Sequence, residues 1–149
     1  MARGFTLIEL LIVVALIAIA SGVAALALRD PAATQLDQEA VRLSALLEGT
    51  RAEARAAGLP VSWHVVPAGE GEPGGFRFVG LPGEPQPPKR WLHDGVTAEV
   101  VGARAVLLGP EPVIGAQRIV LRLEQRQLEL ATDGLSPFGV VDDASAVRP

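Results

Sequence analysis

The sequence contains no cysteine, which excludes a disulfide framework, a thiol nucleophile and a cysteine-ligated zinc site. Aromatic residues make up only 4% of the chain, so a core must rely on Leu, Val and Ala. There is no excess of positive charge either. The formal net charge is −4, and Arg42, Arg51, Arg55, Arg104, Arg118, Arg122 and Arg126 are interleaved with carboxylates. A sequence-independent nucleic-acid binder needs a basic face to displace counterions, and this pattern reads instead as a solvated surface. The only histidines are His64 and His93. His64 has no acid beside it and His93 precedes Asp94, so neither shows the spacing of a metal site or general base. Ser62, Ser136 and Ser145 lack a nucleophile-elbow context. Gly69 to Gly75 lacks the Lys-Ser/Thr of a phosphate loop. Asp142-Asp143 reads as a solvated pair. Neither catalysis, nor a cofactor, nor a metal site is expected.

What is present is unevenly spread. The 149 residues are one domain's worth, and Phe5 to Leu28 holds a disproportionate share of the apolar residues. As a helix this run reaches about 36 Å at about 1.5 Å per residue, enough to span a hydrocarbon core about 30 Å thick with some tilt. It exceeds the core of about 7–15 residues in an ordinary signal peptide. Arg3 and the terminal amine place the short head in the cytoplasm, and residues 30 onward fall outside the inner membrane. Small residues Ala15, Ala18, Ala20, Gly22 and Ala24 allow close helix approach, and Ser21-Gly22 offers a bend.

Glu9 is the only ionisable side chain within this run. An acid at the bilayer centre costs roughly 2.5–3.5 kcal/mol on insertion scales, relieved in part because Glu9 lies near the cytoplasmic end. Its functional reading is a pair with a cation that another subunit supplies. A rival reading takes Ala18-Ile19-Ala20 before Ser21 as a secretory cleavage site. Glu9 inside the run, and apolar residues continuing to Leu28, oppose it.

Arg3-Gly4-Phe5-Thr6-Leu7-Ile8-Glu9, followed by an unbroken apolar helix, resembles the type IV prepilin signature. The resemblance implies a leader of residues 1–4, a transmembrane helix of residues 5–28, and cleavage between Gly4 and Phe5 by a prepilin peptidase. It further implies N-methylation of Phe5 and an assembly contact between Glu9 and the Phe5 amine of a neighbouring subunit. An amine and a carboxylate meeting in an apolar medium attract strongly and relieve each other's desolvation. A wrong axial register leaves both charges alone.

Beyond the membrane, Asp30-Pro31 interrupts or restarts the helix. Residues 29–58 read as an amphipathic helix continuing the first, with Leu36, Ala40, Leu43 and Leu47 on its apolar face. Gln38, Glu39, Arg42, Glu48, Arg51, Glu53 and Arg55 fill the remaining surface. Gly58 and Pro60 end it. Residues 59–141 read as an antiparallel sheet domain. Val61 to Val66 and Phe76 to Val79 alternate as a hairpin. Trp91 to Val101 and Ala103 to Leu108 form two strands around Gly102. Ile119 to Leu123 and Leu128 to Ala131 turn at Glu124 to Arg126, and Asp133-Gly134 turns into a last strand near Phe138 to Val141. Leu81 to Pro88 is a proline-rich loop, and residues 142–149 a loose tail. The fold class is therefore α+β: a long N-terminal transmembrane helix packed on a C-terminal antiparallel sheet domain, as in pilins.

Leu46-Leu47, Arg51, Glu53-Ala54 and Gly58 through Pro60-Val61 resemble the helix-to-strand passage of the GspH/FimT group of minor pseudopilins. So does Ile119 to Val140, with Asp133-Gly134-Leu135. The resemblance implies a minor pseudopilin of type II secretion, in the tip region of a periplasmic pseudopilus. Its partners would be the prepilin peptidase, other major and minor pseudopilins, the inner-membrane assembly platform, membrane lipid and secreted proteins. The alternative it leaves open is a minor type IV pilin of pilus biogenesis or DNA uptake, in which case nucleic acid joins the partners. The absent cysteine pair differs from adhesive major pilins, the absent Asp-rich C-terminal loop from major pseudopilins, and the presence of Glu9 from the large tip subunit.

Overall fold

A computed structural model describes residues 6–27, 30–70, 72–82 and 89–141, with the side chains of residues 23–27 outside that description. Gly4 and Phe5, most of the proline-rich loop (residues 83–88) and the tail from residue 142, with Asp142, Asp143 and Ser145, lie outside the described residues. The chain divides into two compact units, Met1–Pro31 and Ala32–Pro149.

The first unit contains helix α1, Leu7–Ala27. The Thr6 carbonyl opens it, accepting from the Glu9 and Leu10 amides at 3.1 and 3.2 Å. Helical structure runs through Ser21-Gly22.

Helix α2 spans Pro31–Ala57, all but its first residue in the second unit. Proline suits the first helical position because its missing N–H would have no intrahelical partner there. Leu36, Ala40, Leu43, Leu47 and Ala54 form the buried stripe. The helix ends in a Schellman motif: Gly58 adopts a φ of 64°, and the Leu59 amide reaches back to the Ala54 carbonyl at 3.0 Å.

The strands described are β1 Ser62–Val66, β2 Gly75–Val79, β3 Thr97–Val100, β4 Val106–Leu107, β5 Gln117–Leu123, β6 Arg126–Thr132 and β7 Gly139–Val141. They form two antiparallel sheets, ordered β2-β1-β4 and β3-β5-β6-β7. The expected hairpins are present, with Trp63 opposite Phe78 and Ile119 opposite Leu130. The expected strand from Trp91 to Val101 is shorter. The Leu92 amide is taken by the Glu39 carboxylate at 2.7 Å and Gly95 has a φ of 82°, so the chain becomes extended only at Thr97. The strand expected from Ala103 to Leu108 contracts to Val106–Leu107. It joins β1 rather than β3, so Gly102 separates two sheets.

One apolar core joins α2 to both sheets. Leu36, Leu43 and Leu47 meet Trp63, Phe76, Leu108, Ile119, Leu121 and Leu130, all at or below 2% exposure. Full burial of such a side chain contributes about 1.5–3 kcal/mol. The few aromatics are concentrated here, against the expectation of an aliphatic core. Trp63, Phe76 and Trp91 form one cluster, with Phe76 and Trp91 centroids 4.8 Å apart.

Candidate assembly site

Glu9 lies in the first turn of α1, where unpaired backbone N–H groups favour a negative charge. Around it the large apolar side chains face outward in every direction: Leu7, Ile8, Leu10, Leu11, Ile12, Leu16, Ile17 and Ile19 are each at least half exposed. A helix apolar on all sides is stable only when something other than water covers it. Among the described residues no helix is long and apolar enough to cross a membrane, the described side chains of α1 stopping at Gly22. The whole of α1 has 21 residues, about 32 Å at about 1.5 Å each.

The second unit holds charged side chains where apolar ones were expected. Glu39 and Arg51, read from the sequence as surface residues, are 0% and 2% exposed. Their helical spacing carried the signal. Glu39 is three residues after Leu36 and four before Leu43. Arg51 is four after Leu47 and three before Ala54. Both therefore fall on the buried stripe.

Each tethers a loop to α2. The Glu39 carboxylate accepts from the Leu92 amide and, at 2.8 Å, from Arg42 Nη1. Arg42 Nη2 donates in turn to the Arg90 carbonyl at 3.1 Å. His93 Nδ1 lies 3.7 Å from Glu39 Oε2, beyond hydrogen-bond reach, and this buried atom has no hydrogen-bond partner among the described residues. Arg51 donates to the carbonyls of Gly134 and Ser136 at 2.5 and 3.3 Å. Ser44 donates to the Phe138 carbonyl, and Glu48 accepts from the Phe138 amide at 3.0 Å. One helix thus fixes residues 90–92 and 134–138 by charged and hydroxyl groups.

Replacing Glu39 by alanine strands the Leu92 amide and deprives Arg42 of its partner. The expected loss is about 2–3 kcal/mol, with Glu39→Gln losing less because an amide oxygen still accepts from Leu92. Urea unfolding of both variants of the full chain in detergent checks the order.

Asp133 sets the shape of the second loop. Backbone amides of Ser136 and then Leu135 donate to Oδ1, at 2.6 and 2.9 Å, and hold the exposed carboxyl below its ordinary value. Because the folded value is the lower one, this contribution is complete above the ordinary carboxylate range. It is lost as pH falls through the folded value. Asp133→Asn is therefore expected to lower the melting temperature at neutral pH, to make little difference in acid, and so to flatten the acid limb of the profile.

The other residues considered for chemistry do not converge. His64 Nε2 lies 2.9 Å from Ser62 Oγ on β1, facing Arg77 across the hairpin. His93 lies beside Glu39 without a hydrogen bond to it. Ser136 caps the Asp133 turn. No group of His, Cys, Asp and Glu among the described residues could hold a metal ion.

An apolar helix bearing one carboxylate, together with a unit in which a second helix packs on antiparallel sheets, defines an α+β class of pilin-like arrangement. Residues 1–25 match the family described as the prokaryotic N-terminal methylation motif. That match marks a type IV pilin-like prepilin leader and supports a pilin or a pseudopilin, processed by a prepilin peptidase and assembling with other pilin-like subunits. Neither the comparison with curated proteins nor that with solved structures finds a match.

Proposed function

We propose that the chain is a minor pseudopilin of the type II secretion system, a non-catalytic structural subunit built into the tip region of a periplasmic pseudopilus. The observation carrying this reading is the lone Glu9 in the first turn of a helix exposed on all its apolar faces, immediately after a leader motif ending in Gly4. In this reading Phe5 to Leu28 spans the inner membrane once, with the head in the cytoplasm and residues from 30 onward in the periplasm. The peptidase cuts after Gly4, the Phe5 amine is methylated, and that amine becomes the counter-ion of Glu9 on the adjoining subunit. The resident membrane helix is then withdrawn from lipid and covered by other subunits. The tethers on α2 keep the sheet unit rigid while force passes through the helix. Other pseudopilins, the inner-membrane platform and exported proteins are its partners.

A minor type IV pilin acting in pilus biogenesis or DNA uptake would share the leader and the arrangement of elements. Deleting the gene separates the two readings. Loss of protein export with surface pili and DNA uptake intact supports the pseudopilin. Intact export with lost piliation or transformation assigns the chain to the pilus.

A further inference from the structure

In an antiparallel ladder alternate residues turn their N–H and C=O to opposite sides, so a few bonds fix which backbone groups each edge strand presents outward. On β4, the Leu108 amide donates to the Val61 carbonyl at 2.9 Å, which leaves Leu107 facing out. Both Leu107 backbone groups are then closed by one side-chain amide, Gln117, at 2.7 and 2.9 Å. On β2, the outward Phe76 amide donates to the Lys89 carbonyl at 2.9 Å. Beside β7, the outward groups of Phe138 are taken by Glu48 and Ser44.

Phe78 on β2 and Val140 on β7 also face outward with no hydrogen bond among the described residues, but β3 presents two such residues in succession beside a cavity. The Val101 amide donates to the Arg118 carbonyl at 3.0 Å, so Thr97, Glu99 and Val101 face β5. Ala98 and Val100 point their N–H and C=O away from the sheet, and among the described residues nothing bonds them on that side. Next to this edge lies a cavity of about 200 Å³ lined by Val65, Pro67, Trp91, Val96 and Ala98.

We propose that the free edge of β3 is a docking site for an extended strand of a different polypeptide, with a bulky apolar residue opposite Ala98. The polar backbone groups select a strand, because an extended chain supplies donors and acceptors at the matching spacing. The cavity selects the side chain. Ala98 and Val100 share a face with the buried Leu121 and Ile119, and a residue opposite Ala98 would lie on that same face, against Trp91 and Val65. A second copy of this chain fits poorly. Pairing β3 with itself brings Glu99 near Glu99, and like charges on adjacent strands oppose pairing. It also offers only Ala98 or Val100 to the cavity. The site does not depend on leader cleavage or on Glu9, so its test is separate from that of the proposed function.

The experiment follows amide hydrogen exchange in the purified full chain in detergent. The probe is a short synthetic peptide alternating threonine with leucine and carrying lysine at both ends. Without peptide, the amides of Ala98 and Val100 exchange fast while those of Thr97 and Glu99 are protected. With millimolar peptide, Ala98 and Val100 slow by roughly tenfold. The same peptide methylated on its alternate backbone nitrogens has no effect. Ala98→Pro, which removes an outward N–H and leaves the β3–β5 ladder intact, abolishes the slowing at Val100. Unchanged exchange with peptide, or equal slowing by the methylated peptide, overturns the proposal. Slowing of the same amides on concentrating the chain alone assigns the edge to a second copy and overturns the proposed occupant.

Discussion

Glu9→Leu is expected to leave the chain in the membrane and to remove it from assembled filaments. Leucine improves partitioning of α1 into lipid, so anchoring persists. Assembly loses a counter-ion instead. In the proposed filament the Phe5 amine of one subunit would sit in an apolar medium, its desolvation relieved by the neighbour's carboxylate. Removing one partner of a buried pair costs about 3–5 kcal/mol, or roughly a hundredfold to several thousandfold in an association constant. Glu9→Gln tests whether charge or mere polarity is needed. It keeps the size and a hydrogen-bond acceptor, and it should fail nearly as badly. Fractionation followed by shearing and crosslinking of the filament reads both outcomes. Incorporation of either variant at the wild-type level would remove Glu9 from the mechanism.

Arg51→Ala is expected to destabilise the second unit more than truncation of any other charged side chain on α2. The guanidinium is buried at 2% exposure, with Glu48 Oε1 3.6 Å away. It holds the two carbonyls that end the Asp133 turn. Truncation strands both carbonyls and leaves a cavity among Leu47, Ala54 and the sheet. The expected cost is about 3 kcal/mol, near 10 °C in melting temperature for a unit of this size. Lysine does not rescue it, because a single ammonium cannot span two carbonyls as a planar fork does. Gly134→Ala attacks the same loop from the other side. Its φ is 95°, and a Cβ there would lie 1.7 Å from the Ile114 carbonyl oxygen, so the loop must move. Calorimetry of the full chain in detergent measures the loss, and faster amide exchange confined to residues 133–141 identifies the loop as its source. An Arg51→Ala variant melting within about 2 °C of the parent would show the tether to be idle.

Local chemistry was legible in the sequence wherever one element decides its own shape. The apolar run, the stripe from Leu36 to Leu47, the stop at Gly58 and the alternating segments of β1, β2, β5 and β6 each report a period that their own residues set. Membership of sheets was not legible. Val106 pairs with Trp63 rather than with β3 because of contacts more than forty residues apart, which no local pattern encodes. The Trp91 to Val96 stretch looks extended by composition and is held as a loop by Glu39, a distant carboxylate. Glu39 and Arg51 show a different failure. Their spacing places them on the buried face, while their charge alone points to the surface. Buried charges are tolerated when backbone groups or opposite charges satisfy them, and here two loops supply those partners. The open edge of β3 could not be read at all without the register of its ladder.

The central claim is that the head of this chain is a leader removed at Gly4, which frees an amine to meet Glu9. Mass spectrometry of the N-terminal peptide of the mature protein, from cells with and without prepilin peptidase, tests it most directly. The account predicts a peptide beginning at N-methylated Phe5, and retention of Met1 to Gly4 when the peptidase is missing. A mature chain that keeps its first four residues in peptidase-competent cells, or one that begins at Ser21, would contradict it.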